Sequence, residues 1–390
     1  MNHSGVFLKP NKEKPIKNRH HWIFSGAVAK YPDFKDGEIL KVYSHKNELL
    51  GSGYFNRKSN IVGRMVTFDE SPPLSAIEHH LNLAISLRKN LFANHSTNAY
   101  RLINGEGDYL PGLIVDKYDN DLVIQLSTMG MDKLRPWLVE YFIRSLSPRS
   151  IYEKSDLACR KDEGLPPTIG TLFGPNIEKV QIIENGLMFQ VAIQKGQKTG
   201  FFFDQREMRQ WVGQLALKKR VLNCFCYTGG FSVYAAAGGA ITVDSVDISA
   251  PAIEMSQQNM SINGFQKESH HYYAHDVFDF LRTRPLDYDL VILDPPAFAK
   301  RKKDIIPACR GYKDINRLAM EKMPSSSLLL SSSCSYHIDS QLFQKVLFQA
   351  ALEAGRTARI IGTHKMGLDH PINICHPEGD YLKSFLLYLD

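Results

Sequence analysis

Strand-like and helical runs alternate from about residue 195 to the C-terminus, and this alternation limits the fold more than any other feature of the chain. Seven runs read as strands: RVLNCF, AITVDSVDI, SHHYYAHD, YDLVILD, SLLLSSS, ARIIGTH and FLLYLD. Between them FSVYAAA, PAIEMSQQNMSIN, DVFDFLR, DINRLAMEKM and QLFQKVLFQAALEAG have helical character. Parallel neighbours need a crossover long enough to hold a helix. The pattern therefore predicts a mostly parallel, doubly wound α/β sheet over residues 195–390. In such sheets a ligand lies beyond the C-terminal ends of the strands, near the point where strand order reverses.

The earlier residues have a different texture. Residues 1–73 read as short strands and turns, GEILKVYS, LLGSGYFN and NIVGRMVTF. SPPLS marks a boundary, because two prolines interrupt local structure. Residues 74–194 predict a central α+β domain. It holds a helix over 75–95, a hairpin GLIVDKYDNDLVIQLS, a helix MDKLRPWLVEYFIRSL, a strand SIYEKS and a closing hairpin FGPNIEKVQIIENGLMFQVAIQ.

Through Arg64 there are 12 Lys/Arg against 5 Asp/Glu, so the first 64 residues carry +7 of a total of +6 and the remainder sums to −1. A basic module on a near-neutral body suits a polyanion such as RNA, and equally a merely solvated face. No stretch of about 18 uncharged apolar residues suggests a membrane span, and the N-terminus lacks the apolar core of a secretory signal. The six cysteines form no CxxC pair. That spacing predicts no metal site and points to a reducing cytoplasm.

The first strand of the alternating region runs into Phe225-Cys226-Tyr227-Thr228-Gly229-Gly230. Two glycines opening a helix allow close backbone approach and leave free N–H groups. The second strand ends at Asp247, where an acid can hold ribose hydroxyls, and Asp276 after the third strand is placed to meet an adenine amino group. The loop is not GxGxxG and lacks the spacing that cradles a pyrophosphate. It fits a cofactor without phosphate, such as S-adenosylmethionine.

The fourth strand ends in Asp294-Pro295-Pro296, and prolines cannot continue a ladder. The fifth ends in SSSCS, which puts Cys334 at the equivalent height on the neighbouring strand. A carboxylate and a thiol at adjacent strand ends suit methylation at a pyrimidine C5. The thiolate adds to C6 while the acid supplies a proton at N3, and C5 becomes enamine-like. Between these strands lie the Lys300–Lys303 basic run and ACRGYKD, whose Arg310 and Lys313 could contact phosphates.

KTGFFFDQR, LNCFCYTGGFSVYAA, VILDPPAF, ACRGYKDINRLA, SSSCS, and DHPI followed by PEGDYLKSF occur in order. In these segments the chain resembles the bacterial 23S ribosomal RNA large-subunit methyltransferase I family, which makes 5-methylcytosine. The resemblance covers essentially the whole chain. It implies a small β-barrel, PUA-like RNA-binding domain at 1–73, a central domain at 74–194, and a Rossmann-like, seven-stranded S-adenosylmethionine-dependent methyltransferase domain at 195–390.

The resemblance also carries residue roles. Phe225, Tyr227, Thr228, Gly229, Gly230, Asp247 and Asp276 fall to the cofactor, with Gln205 and Arg206 at its methionine end. Asp294 and Cys334 are the catalytic pair. Arg19 and Trp22 in RHHWIFSGAV, with Arg310 and Lys313, fall to RNA. The implied partner is 23S rRNA or a large-subunit precursor, without membrane or metal, and a homodimer is compatible. His21 stands where the family has Pro, Tyr109 where it has Gly, and Ala297 where another branch of RNA cytosine methyltransferases keeps a second cysteine. Two other readings compete: a guanine-N7 rRNA methyltransferase of the same fold, which lacks the cysteine, and a non-catalytic RNA-binding or ribosome-assembly protein.

Overall fold

A computed structural model describes residues 4–94 and 96–390. Contacts group them into two compact units, each described by itself. The first takes in residues up to Ile182, Val191–Phe203 and Leu368–Gly379; the second takes in Ile183–Gln190, Asp204–Gly367 and Asp380–Asp390.

In the first unit a six-stranded sheet runs in the order Trp22–Phe24, Ile61–Thr67, Leu49–Phe55, Ile39–Tyr43, Val6–Leu8, Val28–Lys30. Its longest strands are buried on both faces. Because successive side chains point to opposite sides, one strand serves two cores. Leu50, Phe55, Val62 and Met65 pack with Val6, Leu8, Ile23 and Val42. Tyr54 and Val66 pack instead with Leu81, Leu113, Ile124 and Phe142. The six-stranded sheet and the central region therefore share one unit, although sequence texture separates them.

The second core belongs to a five-stranded sheet ordered Thr168–Phe173, Ser150–Ser155, Asp121–Leu126, Leu113–Tyr118, Ala99–Asn104. The expected hairpin turns at Asp119-Asn120, with Tyr118 paired to Asp121 and Asp119 at φ +56°. SPPLS proves to be a helix start, since the helix runs Pro73–Leu91. The helix expected over MDKLRPWLVEYFIRSL divides into Met129–Lys133 and Arg135–Leu146, because Pro136 cannot donate back into the preceding turn.

Residues 368–379, expected in the C-terminal domain, join the first unit. The reason is a buried polar knot. Arg88 is fully buried. It meets both carboxylate oxygens of Asp108 at 2.6 and 2.8 Å and donates to the carbonyls of Arg101 and Asp369 at 3.0 and 2.7 Å. Asp369 in turn accepts the Arg101 N–H at 2.8 Å. A guanidinium with this many partners is satisfied only when the late segment is seated.

The second unit contains the expected seven-stranded sheet. Its strands are β1 Arg220–Cys224, β2 Thr242–Asp247, β3 His270–Ala274, β4 Leu290–Leu293, β5 Ser327–Ser333, β6 Ala358–His364 and β7 Lys383–Leu389. The order is β3-β2-β1-β4-β5-β7-β6, with β7 antiparallel between β5 and β6 and the first five parallel. Six helices connect or flank them: α1 Arg206–Leu215, α2 Gly230–Ala237, α3 Ala250–Ile262, α4 Val277–Thr283, α5 Ile305–Lys322 and α6 Ser340–Glu353. α5 begins well ahead of the expected DINRLAMEKM. Pro307 is tolerated in its first turn, where the missing N–H has no helical partner to lose. Leu222, Leu293, Leu329, Phe343 and Leu387 form the core with the inner faces of α4, α5 and α6. Strand order reverses between β1 and β4, which places the predicted ligand site at their C-terminal ends.

Arg88→Met should lower the unfolding free energy of the first unit by about 3–5 kcal/mol, because Asp108 would stay buried without its cation. Urea denaturation followed by tryptophan fluorescence reads this as a lower midpoint. Adding Asp108→Asn should recover part of the loss. An unchanged midpoint would count against the knot.

Candidate active site

The loop after β1 is held in an unusual conformation. Phe225 and Tyr227 have φ of +58° and +47°, and Gly229 has +80°. Left-handed backbone at two non-glycine residues costs on the order of 1–2 kcal/mol each, so the surroundings must enforce it. Asp247 at the end of β2 does so: its Oδ2 accepts the Tyr227 N–H and its Oδ1 the Ser249 N–H, both at 2.9 Å. From α3, the buried Asn259 donates to the Thr228 carbonyl at 2.9 Å. A Cβ at Gly229 would lie 2.2 Å from the Ser256 Oγ, so glycine is required there for space as well as for φ. Gly230 then opens α2. The result is a tight turn with backbone N–H groups at a helix start and a carboxylate beside it. These residues fit a cofactor bearing a ribose and no phosphate.

Asp276 follows β3 and caps α4, accepting the Asp279 N–H at 3.0 Å. Its neighbour His275 donates its backbone N–H to the Asp247 carbonyl at 2.9 Å. This links the ends of β2 and β3 on the same edge of the sheet as the loop after β1.

Gln205 and Arg206 precede β1. The buried Gln205 donates from Nε2 to Oδ1 of Asp294 at 3.0 Å, which fixes one oxygen of that carboxylate. Arg206 is buried, with Nε 3.2 Å from Glu184 Oε2. The same carboxylate takes Arg209 at 2.7 Å and the Tyr234 hydroxyl at 3.1 Å. Arg206 is thus built into an ion-pair network at the start of α1, while Gln205 reaches the chemistry side.

Cys334, one residue past β5, lies across from Asp294-Pro295 as expected. Its Sγ is 3.8 Å from the Pro295 carbonyl. Two residues not singled out from the sequence hold this corner together. The buried Ser335 accepts the Ala299 N–H at 3.1 Å and bonds the hydroxyl of buried Tyr312 at 3.0 Å. Ser335 thereby ties the loop after β4, the loop after β5 and α5 to one oxygen. A hydroxyl immediately after the candidate nucleophile, and the Tyr of RGYKD, were the available signals.

The other cysteines of this unit are differently placed. Cys224 and Cys226 are buried, and burial pushes both thiols up. Cys309, inside α5, is also raised by burial. A thiol held protonated is a poor nucleophile.

The candidate RNA contacts fall in both units. On the second unit, Arg310 is exposed on α5, and Lys313 pairs with Glu353 of α6 at 2.6 Å. On the first unit, Arg19 is exposed with φ +62°. Trp22 is half-buried and donates from Nε1 to Glu106 at 2.8 Å. His21 is buried and bonds the Met65 carbonyl at 2.9 Å, and burial pulls its pKa down to about 4. Its ring lies edge-on to Tyr109 at 5.3 Å, and Tyr109 stacks on His80 at 5.2 Å.

Comparisons with known proteins agree with this geometry. A family model described as S-adenosylmethionine-dependent methyltransferase matches residues 165–351, and one described as PUA-like domain matches residues 6–68. The chain is 41% identical over 394 residues to the ribosomal RNA large subunit methyltransferase I of Photobacterium profundum, covering 99% of each. It is 41% identical over 387 residues to the protein of the same name from Alteromonas mediterranea, covering 98% of each. Among solved structures, a chain assigned as a SAM-dependent methyltransferase from Streptococcus mutans superposes with a TM-score of 0.84 at 25% identity, covering 98% of this chain and 99% of that one. Another, assigned as a methyltransferase and solved in complex with SAH, gives 0.85 at 26% identity with the same coverage.

Asp247→Ala should weaken S-adenosylmethionine binding tenfold or more, since a hydrogen bond to a charged group contributes about 1.5–3 kcal/mol and the loop after β1 loses its anchor as well. Calorimetry reads this directly; unchanged affinity would remove Asp247 from the cofactor site.

Proposed function

Because the chain belongs to the ribosomal RNA large subunit methyltransferase I family, we propose that it methylates C5 of a cytosine in 23S rRNA or its large-subunit precursor, with Cys334 forming a transient bond to C6. Its cofactor, S-adenosylmethionine, supplies an electrophilic methyl group. The observation that carries the reading is the pairing of Cys334 with the Asp294-Pro295 corner, Sγ being 3.8 Å from the Pro295 carbonyl.

The residues divide the work as follows. Asp247, Thr228, Gly229 and Gly230 would hold the cofactor, with Asp276 toward its base. Cys334 attacks C6 as the thiolate while Asp294 delivers a proton to N3, so the electron pair of the C5–C6 double bond becomes available at C5. After C5 has taken the methyl group, it loses its proton to solvent, which releases the C5–H electron pair. Asp294 takes back the N3 proton, the C5–C6 double bond re-forms, and the thiolate leaves. Gln205 keeps the carboxylate of Asp294 aimed by holding one of its oxygens. Ala297 offers no thiol, so release of the product does not use a second cysteine at that position.

The excess of 7 positive charges in the first 64 residues supports RNA as the substrate, as do the PUA-like match and the names of the relatives.

Cys334→Ser should abolish methylation and leave S-adenosylmethionine affinity intact, whereas Cys309→Ser and Cys226→Ser keep substantial turnover. RNA carrying 5-fluorocytosine should trap a covalent adduct with the wild-type protein, because fluorine cannot leave as a proton. Peptide mapping of the adduct to Cys309, or full activity in Cys334→Ser, would sink the assignment. Mapping 5-methylcytosine in rRNA with and without the gene identifies the base and its position.

Deleting the six-stranded sheet would tear open a core it shares with the central sheet, so charge is the better probe of RNA docking. Replacing exposed Lys12, Lys14 and Arg19 by Ala should lower the slope of log affinity against log salt by about 0.7–0.9 for each phosphate that these side chains no longer neutralise. A slope equal to wild type would move the RNA anchor elsewhere.

A further inference from the structure

We propose that Lys383 is a positioning residue that holds the Cys334 side chain in its thiolate form. The proposal rests on the reading of Cys334 as the nucleophile and adds the group that activates it.

β7 runs antiparallel beside β5, pairing Ser332 with Ser384 and Ser333 with Lys383. Lys383 is therefore level with the last strand residue before Cys334. Its side chain is only 5% exposed overall, and Nζ donates to the carbonyls of Ser335 at 2.7 Å and Tyr381 at 2.9 Å. Ser335 is the residue directly after the thiol. The ammonium is thus fixed on the residue that follows Cys334, while the Lys383 backbone pairs with the residue before it.

A buried ammonium is costly unless an anion accompanies it. Among the described residues no carboxylate comes within 4.0 Å of the Lys383 Nζ, and its two acceptors are neutral carbonyls. The charged and titratable groups around it come from every neighbouring element. Asp380, just before β7, is ion-paired to Lys365. Asp339 caps α6, accepting the Leu342 N–H at 2.8 Å. Tyr312 of α5 is bonded to Ser335 Oγ at 3.0 Å. Tyr381 donates its hydroxyl to Asp204 at 2.6 Å. Both acids are engaged elsewhere, and Cys334 is the strongest charged influence on Lys383, ahead of Asp380 and Asp339.

The sign follows from reciprocity. A thiolate at Cys334 favours the charged form of Lys383, so the ammonium favours the thiolate by the same interaction energy. Burial pulls Lys383 down to about 8. The ammonium is therefore present at neutral pH, where it activates the thiol, and its help fades as pH rises through that value.

The test is the pH profile of Cys334 alkylation by iodoacetamide, read on the Cys334 peptide by mass spectrometry in the full-length protein. Wild type should show an apparent thiol pKa below the ordinary value of about 8.5. Lys383→Met should raise it by about one unit, slowing alkylation about tenfold at pH 7, and Lys383→Arg should keep the low value. S-adenosylmethionine affinity retained in Lys383→Met shows that the fold survives. A profile unmoved by Lys383→Met overturns the proposal. So does a wild-type thiol titrating at or above the ordinary value, and that result needs no variant. Methylation by Cys334→Ser would instead defeat the covalent mechanism, which the alkylation profile does not measure.

Discussion

Where β1 pairs with β4, with Cys224 beside Leu293, the strands run parallel and the chain leaves both in the same direction. Parallel pairing continues from β1 to β2 and β3 on one side and from β4 to β5 on the other. Consequently Phe225, Asp247, His275, Asp294 and Cys334 all lie at or just past strand ends on one edge of the sheet. Buried apolar runs enforce the register, since slipping one strand would move Leu293 or Leu329 out of the core. The separation between the cofactor half and the chemistry half is the switch point itself. Loops after β1, β2 and β3 shape one half; loops after β4 and β5 shape the other.

All seven strands of this sheet could be read from the sequence because each is a short run bounded by turns, and most of the runs are apolar. That burial signal does not depend on knowing the neighbours. Elements whose burial comes from tertiary partners were invisible. Val6–Leu8, Trp22–Phe24 and Val28–Lys30 are three residues each, too short to show a period. Thr168–Phe173 lies at a sheet edge, and its residues are half-buried or exposed. The start of α5 was hidden by Pro307 and Gly311, which read as loop residues although a helix's first turn accepts the one and a packed helix can carry the other. In the site, the residues that react or bind were readable by type and place: Asp247, Asp294, Cys334, the two glycines. Those that position them were not. Ser335 looks like one more serine in SSSCS, and Lys383 looks like a surface charge at a strand start. Only the fold reveals that both are buried against the same corner.

Two residues of the first unit, His21 and Tyr109, are not independent of each other. His21 and Tyr109 are far apart in sequence and meet ring to ring. Tyr109 sits at φ +61°, a conformation natural to glycine. The strain of order 1–2 kcal/mol is offset by stacking on His80 and edge contact with His21. His21 bonds the Met65 carbonyl and packs on Phe68. The pair exchanges a backbone preference for an aromatic cluster beside the segment carrying Trp22.

Placing a thiol for attack demands more than proximity, because an error of about 1 Å in a reacting atom can cost two orders of magnitude in rate. Cys334 is not itself in a strand, so its position must be set from either side. Ser333 before it ends β5 and pairs with Lys383 across the ladder. Ser335 after it is held by Ala299, Tyr312 and Lys383 together, and its own N–H turns back to the Ser333 hydroxyl at 3.3 Å. The cysteine is therefore a single-residue span between two fixed points, and its side chain has little choice but to face the Asp294-Pro295 corner. The carboxylate opposite is fixed by the same logic: β4 stops at prolines that cannot extend the ladder, and Gln205 takes up one oxygen. Thiol and carboxylate come from different strands. The hydrogen bond from Ala299 to Ser335 ties the two loops directly, so displacement of one corner is transmitted to the other.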